Sequence, residues 1–200
     1  MIKKGLFFGS FDPIHNGHLE IAKFFIKNKI LSEVIFIVTP QNPFKSENKS
    51  ENFDKRYEAV KIATRNNPKI EISDIESRLP SPNYTFETLK FLRTENPTIE
   101  YVFLMGSDLL LNFEKWKNYK NILDHHTLYI YPRGEKNQIS QKLKLNKNIE
   151  FFKAPLMKVS SSIIREKYKI GDPVDHLIPT LVFEFIKKIS SMLTKGFQLF

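Results

Sequence analysis

The sequence predicts an α/β fold: an open parallel sheet with helices on both faces, followed by a helical C-terminal segment. Short apolar runs typical of buried strands alternate with amphipathic runs typical of helices over residues 1–159, and only helical patterns follow over residues 160–193. The chain has 200 residues, 41% of them hydrophobic, and shows no internal repeat or low-complexity linker. We therefore expect a single domain over residues 1–200.

Six apolar runs predict the strands. Each is short and nearly continuous in apolar residues, as expected when both faces of a parallel sheet are covered. They are Gly5–Phe8, Glu33–Thr39, Lys69–Ser73, Glu100–Gly106, His126–Pro132 and Ile149–Ala154.

Helical periodicity fills the segments between and after these strands. The turn at residues 170–173, Ile-Gly-Asp-Pro, separates the last two helices. The predicted helices are His18–Lys29, Phe53–Asn66, Thr85–Asn96, Ser107–Leu123, a short helix within Lys136–Asn148, Ser160–Tyr168 and Ile178–Leu193.

Composition excludes several kinds of chemistry. Without cysteine there can be no disulfide, thiolate zinc site or cysteine nucleophile. The net charge of +9 would suit nucleic acid, but the basic residues are mixed with acidic ones, and small phosphorylated ligands would suit it equally. Gly and Asp-Pro interrupt the segment MIKKGLFFGSFDP, so we expect no signal peptide, and the sequence contains no apolar run of about 18 residues. We expect a cytoplasmic protein with no nucleic-acid or membrane partner; a homo-oligomer is compatible with this sequence.

Unusual loops follow four of the predicted strands. They read GSFDPIHNGH after the first strand, TPQNPFK after the second, GSD after the fourth and KVSSSIIR after the last. Ligands of open parallel sheets bind outside the carboxyl ends of the strands, where the winding direction reverses. These four loops therefore predict one binding site at one edge of the sheet.

The first loop has the features of an anion site, although it matches neither a P-loop nor the Gly-x-Gly-x-x-Gly dinucleotide pattern. Gly9 and Gly17 permit close backbone approach, Pro13 fixes the loop, and the following helix start attracts anions. His15 and His18 can donate hydrogen bonds to phosphate, more strongly when protonated. Two alternatives stay open at this point: a zinc pair, although its usual spacing is i, i+4, and a purely structural role.

The loop GSFDPIHNGHL resembles the Gly-x-Phe-Asp-Pro-x-His-x-Gly-His signature of the nucleotidyltransferase superfamily, and KVSSSIIR resembles its second signature. The segments NPFK, NYTFETL and FLMGSDLLLNFEKW are similar to those of bacterial nicotinate-mononucleotide adenylyltransferases, and the resemblance extends from Lys4 to about Lys188. It implies a Rossmann-like fold and transfer of AMP from ATP to nicotinic acid mononucleotide in NAD biosynthesis. It also implies Mg²⁺, brought with ATP, and no dedicated protein metal site.

The resemblance assigns roles to particular residues. His15, His18, Lys45 and Arg165 are the expected catalytic residues. The expected ATP-binding residues are Gly9, Ser10, Phe11, His15, His18, Gly106, Asp108, Ser161, Ser162 and Arg165. The expected acceptor-binding residues are Tyr84, Thr85 and Trp116, with Arg133 as a further candidate.

Rival functions remain in the same superfamily and outside it. Pantetheine-phosphate adenylyltransferases and cytidylyltransferases share the loop GSFDPIHNGH (Gly9–His18), which we call the histidine loop. We would not expect NYTFETL and GSDLLLNFEKW together in them. A non-catalytic nucleotide-binding module would keep the phosphate site without turnover. Binding of ATP without release of pyrophosphate, whichever mononucleotide is added, would favour that module.

Overall fold

A computed structural model describes residues 2–41, 52–133 and 139–192, and the side chains up to residue 189. Within these ranges the chain alternates between strands and helices. The strands are β1 (Ile2–Gly9), β2 (Glu33–Val38), β3 (Ile70–Ser73), β4 (Ile99–Gly106), β5 (Leu128–Tyr131) and β6 (Ile149–Phe151). The helices are α1 (Asn16–Lys27), α2 (Phe53–Thr64), α3 (Thr85–Glu95), α4 (Ser107–Leu110), α5 (Tyr119–His125), α6 (Gln141–Lys144), α7 (Ser161–Lys169) and α8 (Thr180–Met192), with 3₁₀ turns at Ile75–Arg78, Phe113–Lys115 and Asp175–Leu177.

The described strands form one sheet in the order β3-β2-β1-β4-β5-β6, and every neighbouring pair is parallel. The predicted parallel sheet and all six predicted strands are confirmed. The strand order grows outward in one direction from β1 to β3 and in the other from β4 to β6. The winding therefore reverses between β1 and β4, which is where ligands bind in doubly wound sheets.

The register brings the ends of the central strands to the same edge. Gly9 pairs with Val38 of β2, and Phe7 pairs with Leu104 of β4, so that β1 and β4 end level with each other. The loops that follow these strands consequently start side by side.

Side chains alternate between the two faces of the sheet, and each face has its own core. On β1, Phe7 packs in a core shared with α1, α2, α7 and α8, whereas Leu6 packs in a second core shared with α3 and α5. Helices on both faces of the sheet are thus confirmed. None of the helices in the described ranges is long and apolar enough to cross a membrane.

The prediction of one helix over Ser107–Leu123 was wrong. The segment contains α4, a 3₁₀ turn at Phe113–Lys115, and α5. Trp116 is extended, and Asn118 has a φ of 54°, in the left-handed region that asparagine tolerates better than most residues. The uniform periodicity hid this break because Phe113 is fully buried at the spacing a continuous helix would give.

Phe25 of α1 offers a test of the first core, because its ring is fully buried and packs against the rings of Tyr129 and Phe152. Phe25→Ala should lower the free energy of unfolding by about 3–5 kcal/mol, through lost burial and the cavity left behind. The matched control, Phe91→Ala on α3, removes a ring that is exposed and should cost under about 1 kcal/mol. Urea unfolding measures both, and equal losses would contradict the packing described.

Candidate active site

A cavity of about 580 Å³ opens at the carboxyl edge of the sheet, at the reversal between β1 and β4. Loops from both halves of the sheet and the starts of α3 and α7 line it. Of the residues expected from the sequence, those lining the cavity are Gly9, Ser10, Phe11, His18, Tyr84, Thr85, Asp108, Trp116, Arg133, Ser161, Ser162 and Arg165. His15 and Gly106 do not line the cavity. Lys45 belongs to residues 42–51, which lie outside the described residues.

The two histidines are held together at the start of α1. His15 is the residue immediately before the helix, and its backbone N–H donates to Nδ1 of His18 at 3.2 Å. The two rings are stacked with their centroids 3.6 Å apart. Because Nδ1 of His18 accepts a hydrogen bond, a neutral His18 carries its proton on Nε2. His18 can therefore donate from Nε2 as a neutral group.

Both histidines are neutral in this environment. Burial, with a smaller contribution from the charge of Arg133, lowers the pKa of His15 to about 3. Burial also lowers the pKa of His18, helped by His15 and Arg133. Protonation was expected to strengthen their hydrogen bonds to phosphate, but the free protein disfavours the charged forms.

The start of α7 is anchored on the histidine loop. Ser160 caps the helix by accepting from the backbone N–H of Ile163, and Ser161 Oγ donates to the carbonyl of Pro13 at 2.9 Å. Arg165 donates to the carbonyl of Asp12 at 2.6 Å and to Ser162 Oγ at 3.3 Å. The cationic group and the helix start thus face the cavity together, an arrangement suited to an anion.

Arg56 of α2 is a site residue that the sequence analysis missed. It is 4% exposed and donates to the carbonyls of Ser10, Thr39 and Pro40, so it joins the loops that follow β1 and β2. Burial lowers the pKa of the Arg56 guanidinium, and the negative charge of Asp12 offsets part of that effect. The sequence does contain one indication of this role: Arg56 lies on the same face of the predicted helix as Ala59 and Val60, where an apolar residue is usual.

The opposite end of the cavity is built around Tyr84 and Thr85. Tyr84 precedes α3, and its side chain does not cap the helix. Trp116 packs against Phe103 and Phe113 at centroid distances of 6.0 and 5.5 Å, so it belongs to the second core as well as to the cavity wall. Lys117, also missed from sequence, lies 4.2 Å from the Tyr84 ring centroid. This end of the cavity offers flat aromatic surface and a helix start.

Asp108 and Arg133 meet between the ends of β4 and β5. The Asp108 carboxylate lies 3.7 Å from Nε of Arg133, and Ser107 Oγ bonds both the N–H and the carbonyl of Arg133. A Cβ on Gly106 would lie 2.5 Å from Oδ1 of Asp108. Gly106 therefore acts by letting Asp108 fold back over the strand end, although it does not itself line the cavity.

Sequence comparisons place the chain among known proteins. The family described as cytidylyltransferase-like matches residues 6–167. A probable nicotinate-nucleotide adenylyltransferase of Flavobacterium psychrophilum is 40% identical over 185 residues, covering 92% of this chain and 96% of the relative. Another of the same description, from Clostridium tetani, is 38% identical and covers 94% and 98% of the two chains.

Solved structures share the fold. The nicotinic acid mononucleotide adenylyltransferase of Plasmodium falciparum complexed with NaAD gives a TM-score of 0.78 at 21% identity, covering 95% of this chain and 97% of that one. The same enzyme complexed with APC gives 0.76 at 20% identity, covering 95% and 96%. At that identity the likeness concerns the fold, whereas the curated relatives are similar in sequence over almost their whole length. The chain therefore belongs to the nicotinate-nucleotide adenylyltransferase family.

Proposed function

We propose that this enzyme transfers the adenylyl group of ATP to nicotinic acid mononucleotide, giving nicotinic acid adenine dinucleotide and pyrophosphate in NAD biosynthesis. The observation that carries the proposal is one cavity with an anion-binding end at His18 and Arg165 and an aromatic end at Tyr84 and Trp116. The names of the sequence relatives agree with it. The two ends suit the triphosphate and the pyridine ring.

The reaction needs alignment and charge neutralisation from the protein. An oxygen of the acceptor's 5'-phosphate attacks the α-phosphorus of ATP, a new P–O bond forms, and the bond to the β-phosphate breaks with release of pyrophosphate. No covalent enzyme intermediate is required. The described cavity walls can supply hydrogen-bond donors and cationic groups for this purpose.

On the donor side, Nε2–H of His18 would contact the reacting phosphate, and His15 would hold the ring of His18. Arg165 would leave the carbonyl of Asp12 for the departing pyrophosphate, beside the α7 start at Ser161 and Ser162. Lys45, outside the described residues, is proposed to contact the phosphates as well. Gly9, Ser10, Phe11 and Gly106 would shape the adenosine side, with Asp108 accepting from ribose hydroxyls.

On the acceptor side, the backbone at Tyr84 and Thr85 would receive the pyridine carboxylate, since an amide-lined helix start suits an anion. Trp116 would stack on the pyridine ring, which is cationic in this mononucleotide. Arg133 lies near both histidines and would contact a phosphate.

Magnesium is proposed to enter with ATP. In the described ranges no three His, Asp or Glu side chains gather as a metal site. Mg²⁺ keeps waters and takes phosphate oxygens readily, so the carboxylate and hydroxyl groups lining the cavity fit an ion held largely by the triphosphate. Bound there, the ion would neutralise phosphate charge.

We further propose a cytoplasmic enzyme that acts as a single domain. The packing of Val182 and Ile186 of α8 in one core with Ala59 and Val60 of α2 supports the second point.

Pyrophosphate release from ATP and Mg²⁺ tests the reaction, with nicotinic acid mononucleotide, nicotinamide mononucleotide and phosphopantetheine as parallel acceptors. We expect a strong preference for the first. Turnover with phosphopantetheine instead would keep the phosphate site and overturn the acceptor assignment. Binding of ATP without turnover on any acceptor would make the protein a nucleotide-binding module.

Two substitutions should separate the roles of the two ends. His18→Ala removes a contact to the reacting phosphate and should lower kcat by about 100- to 1,000-fold, by analogy with oxyanion-hole donors. Trp116→Ala removes a binding surface and should mainly raise the acceptor KM. Steady-state kinetics with each substrate varied in turn measures both, and the same kinetic pattern in the two variants would contradict the assignment.

The neutral state of His15 has a consequence for stability. The unfolded chain takes up a proton near the usual histidine pKa of about 6.5, whereas the folded chain does so only near 3. Neutral His15 therefore contributes fully to the free energy of unfolding above pH 6.5. Its contribution decreases as the pH falls, by about 2 kcal/mol at pH 5. Urea unfolding at pH 7.5 and pH 5.0 should show a smaller pH-dependent loss in His15→Gln than in the unaltered protein. Equal losses would mean that His15 is not buried as a neutral group.

A further inference from the structure

Glu76 is a buried acidic residue for which the proposed reaction has no use. It lies in the 3₁₀ turn Ile75–Arg78 after β3, is 1% exposed, and forms part of the cavity wall beside Asn83 and Tyr84. Burying a carboxyl group this deeply lowers the stability of the fold unless other groups form hydrogen bonds with it. Its surroundings therefore indicate what it does.

Two hydrogen bonds connect Glu76 to the segment around Tyr84. Its Oε1 accepts from the hydroxyl of Thr88 at 2.8 Å, and its backbone carbonyl accepts from the side-chain amide of Asn83 at 2.6 Å. Both partners are buried. Burial raises the pKa of Glu76, while hydrogen bonding from Thr39 and Thr88 favours the ionised form and limits the rise.

The two partners stand on either side of the expected acceptor-binding residues. Asn83 precedes Tyr84 directly, and Thr88 lies one turn into α3. Asn83 is also paired with Gln41 by two longer hydrogen bonds, each 3.4 Å, one from the backbone of each residue. The stretch from residue 83 to residue 88 is thus fixed at both ends, and Glu76 takes part at both.

We propose that Glu76 is a positioning residue for the acceptor: by holding Asn83 and Thr88 together, it sets the orientation of the backbone at Tyr84 and Thr85. The inference rests on the proposed function for its catalytic meaning. A reaction that depends on alignment is sensitive to small displacements, since about 1 Å of misplacement can cost about 100-fold in rate. Glu76 acts through the turn, without touching the substrate.

The kinetic test uses two nearly isosteric substitutions. Glu76→Gln replaces the carboxyl group by a carboxamide and Thr88→Val removes the hydroxyl, so both disturb the same hydrogen bond. Each should raise the KM for nicotinic acid mononucleotide about tenfold and leave the KM for ATP within about twofold. Thr64→Val is the matched control, because Thr64 is also buried but its hydroxyl donates to the carbonyls of Val60 and Lys61 within α2. It should change neither KM.

A readout without substrates separates this inference from the proposed function. Hydrogen–deuterium exchange of the segment at residues 83–92 should become about tenfold faster in Glu76→Gln and stay unchanged in Thr64→Val. If the unaltered protein has no turnover with the mononucleotide, the proposed function fails while the exchange result still tests the holding role. Unchanged exchange, or an equal rise in both KM values in Glu76→Gln and Thr88→Val, would overturn the inference.

Discussion

The parallel pairing of β1 with both β2 and β4 determines where the candidate site lies. The connection after β1 runs to β2 on one side and the connection after β4 runs to β5 on the other, so the two leave neighbouring carboxyl ends in opposite directions and a crevice opens between them. The parts of the candidate site are strand ends, loops and helix starts at that edge. The hydrogen bond from Ser161 to Pro13 shows the result: residues 148 positions apart in sequence form one wall.

Buried polar side chains lie behind this crevice. Burying them lowers the stability of the fold but orders the loops that line the crevice. These side chains include Asp12, His15, Thr39, Arg56, Glu76, Asn83 and Thr88. Most of their hydrogen bonds go to backbone groups of the lining loops, as those of Arg56 do. Hydrogen bonds of this kind stiffen the loops that they hold. The loops are therefore shaped before a substrate arrives, which reduces the ordering cost of binding.

The sheet, and which residues line the candidate site, could largely be predicted from the sequence because both depend on local patterns. Apolar runs mark the six strands, and residues adjacent in the histidine loop stay adjacent in the cavity. The break at Asn118 was not predicted, since one left-handed residue leaves the surrounding periodicity intact. Arg56 and Glu76 were missed for a different reason: their partners, such as Ser10 and Thr88, are far away in sequence or belong to other elements. Only the folded chain brings them together.

The cavity has two kinds of hydrogen-bond donor, the cationic arginines and the neutral imidazole of His18. Arg133 and Arg165 line the cavity with guanidinium groups, which attract anions. Burial, together with the nearby positive charge of Arg133, lowers the pKa of both His15 and His18 and so favours their neutral forms in the free protein. A neutral imidazole whose Nδ1 is already occupied by a backbone N–H presents one directed donor, Nε2–H, without the desolvation cost of another buried cation. Long-range attraction and local orientation thus come from different residues.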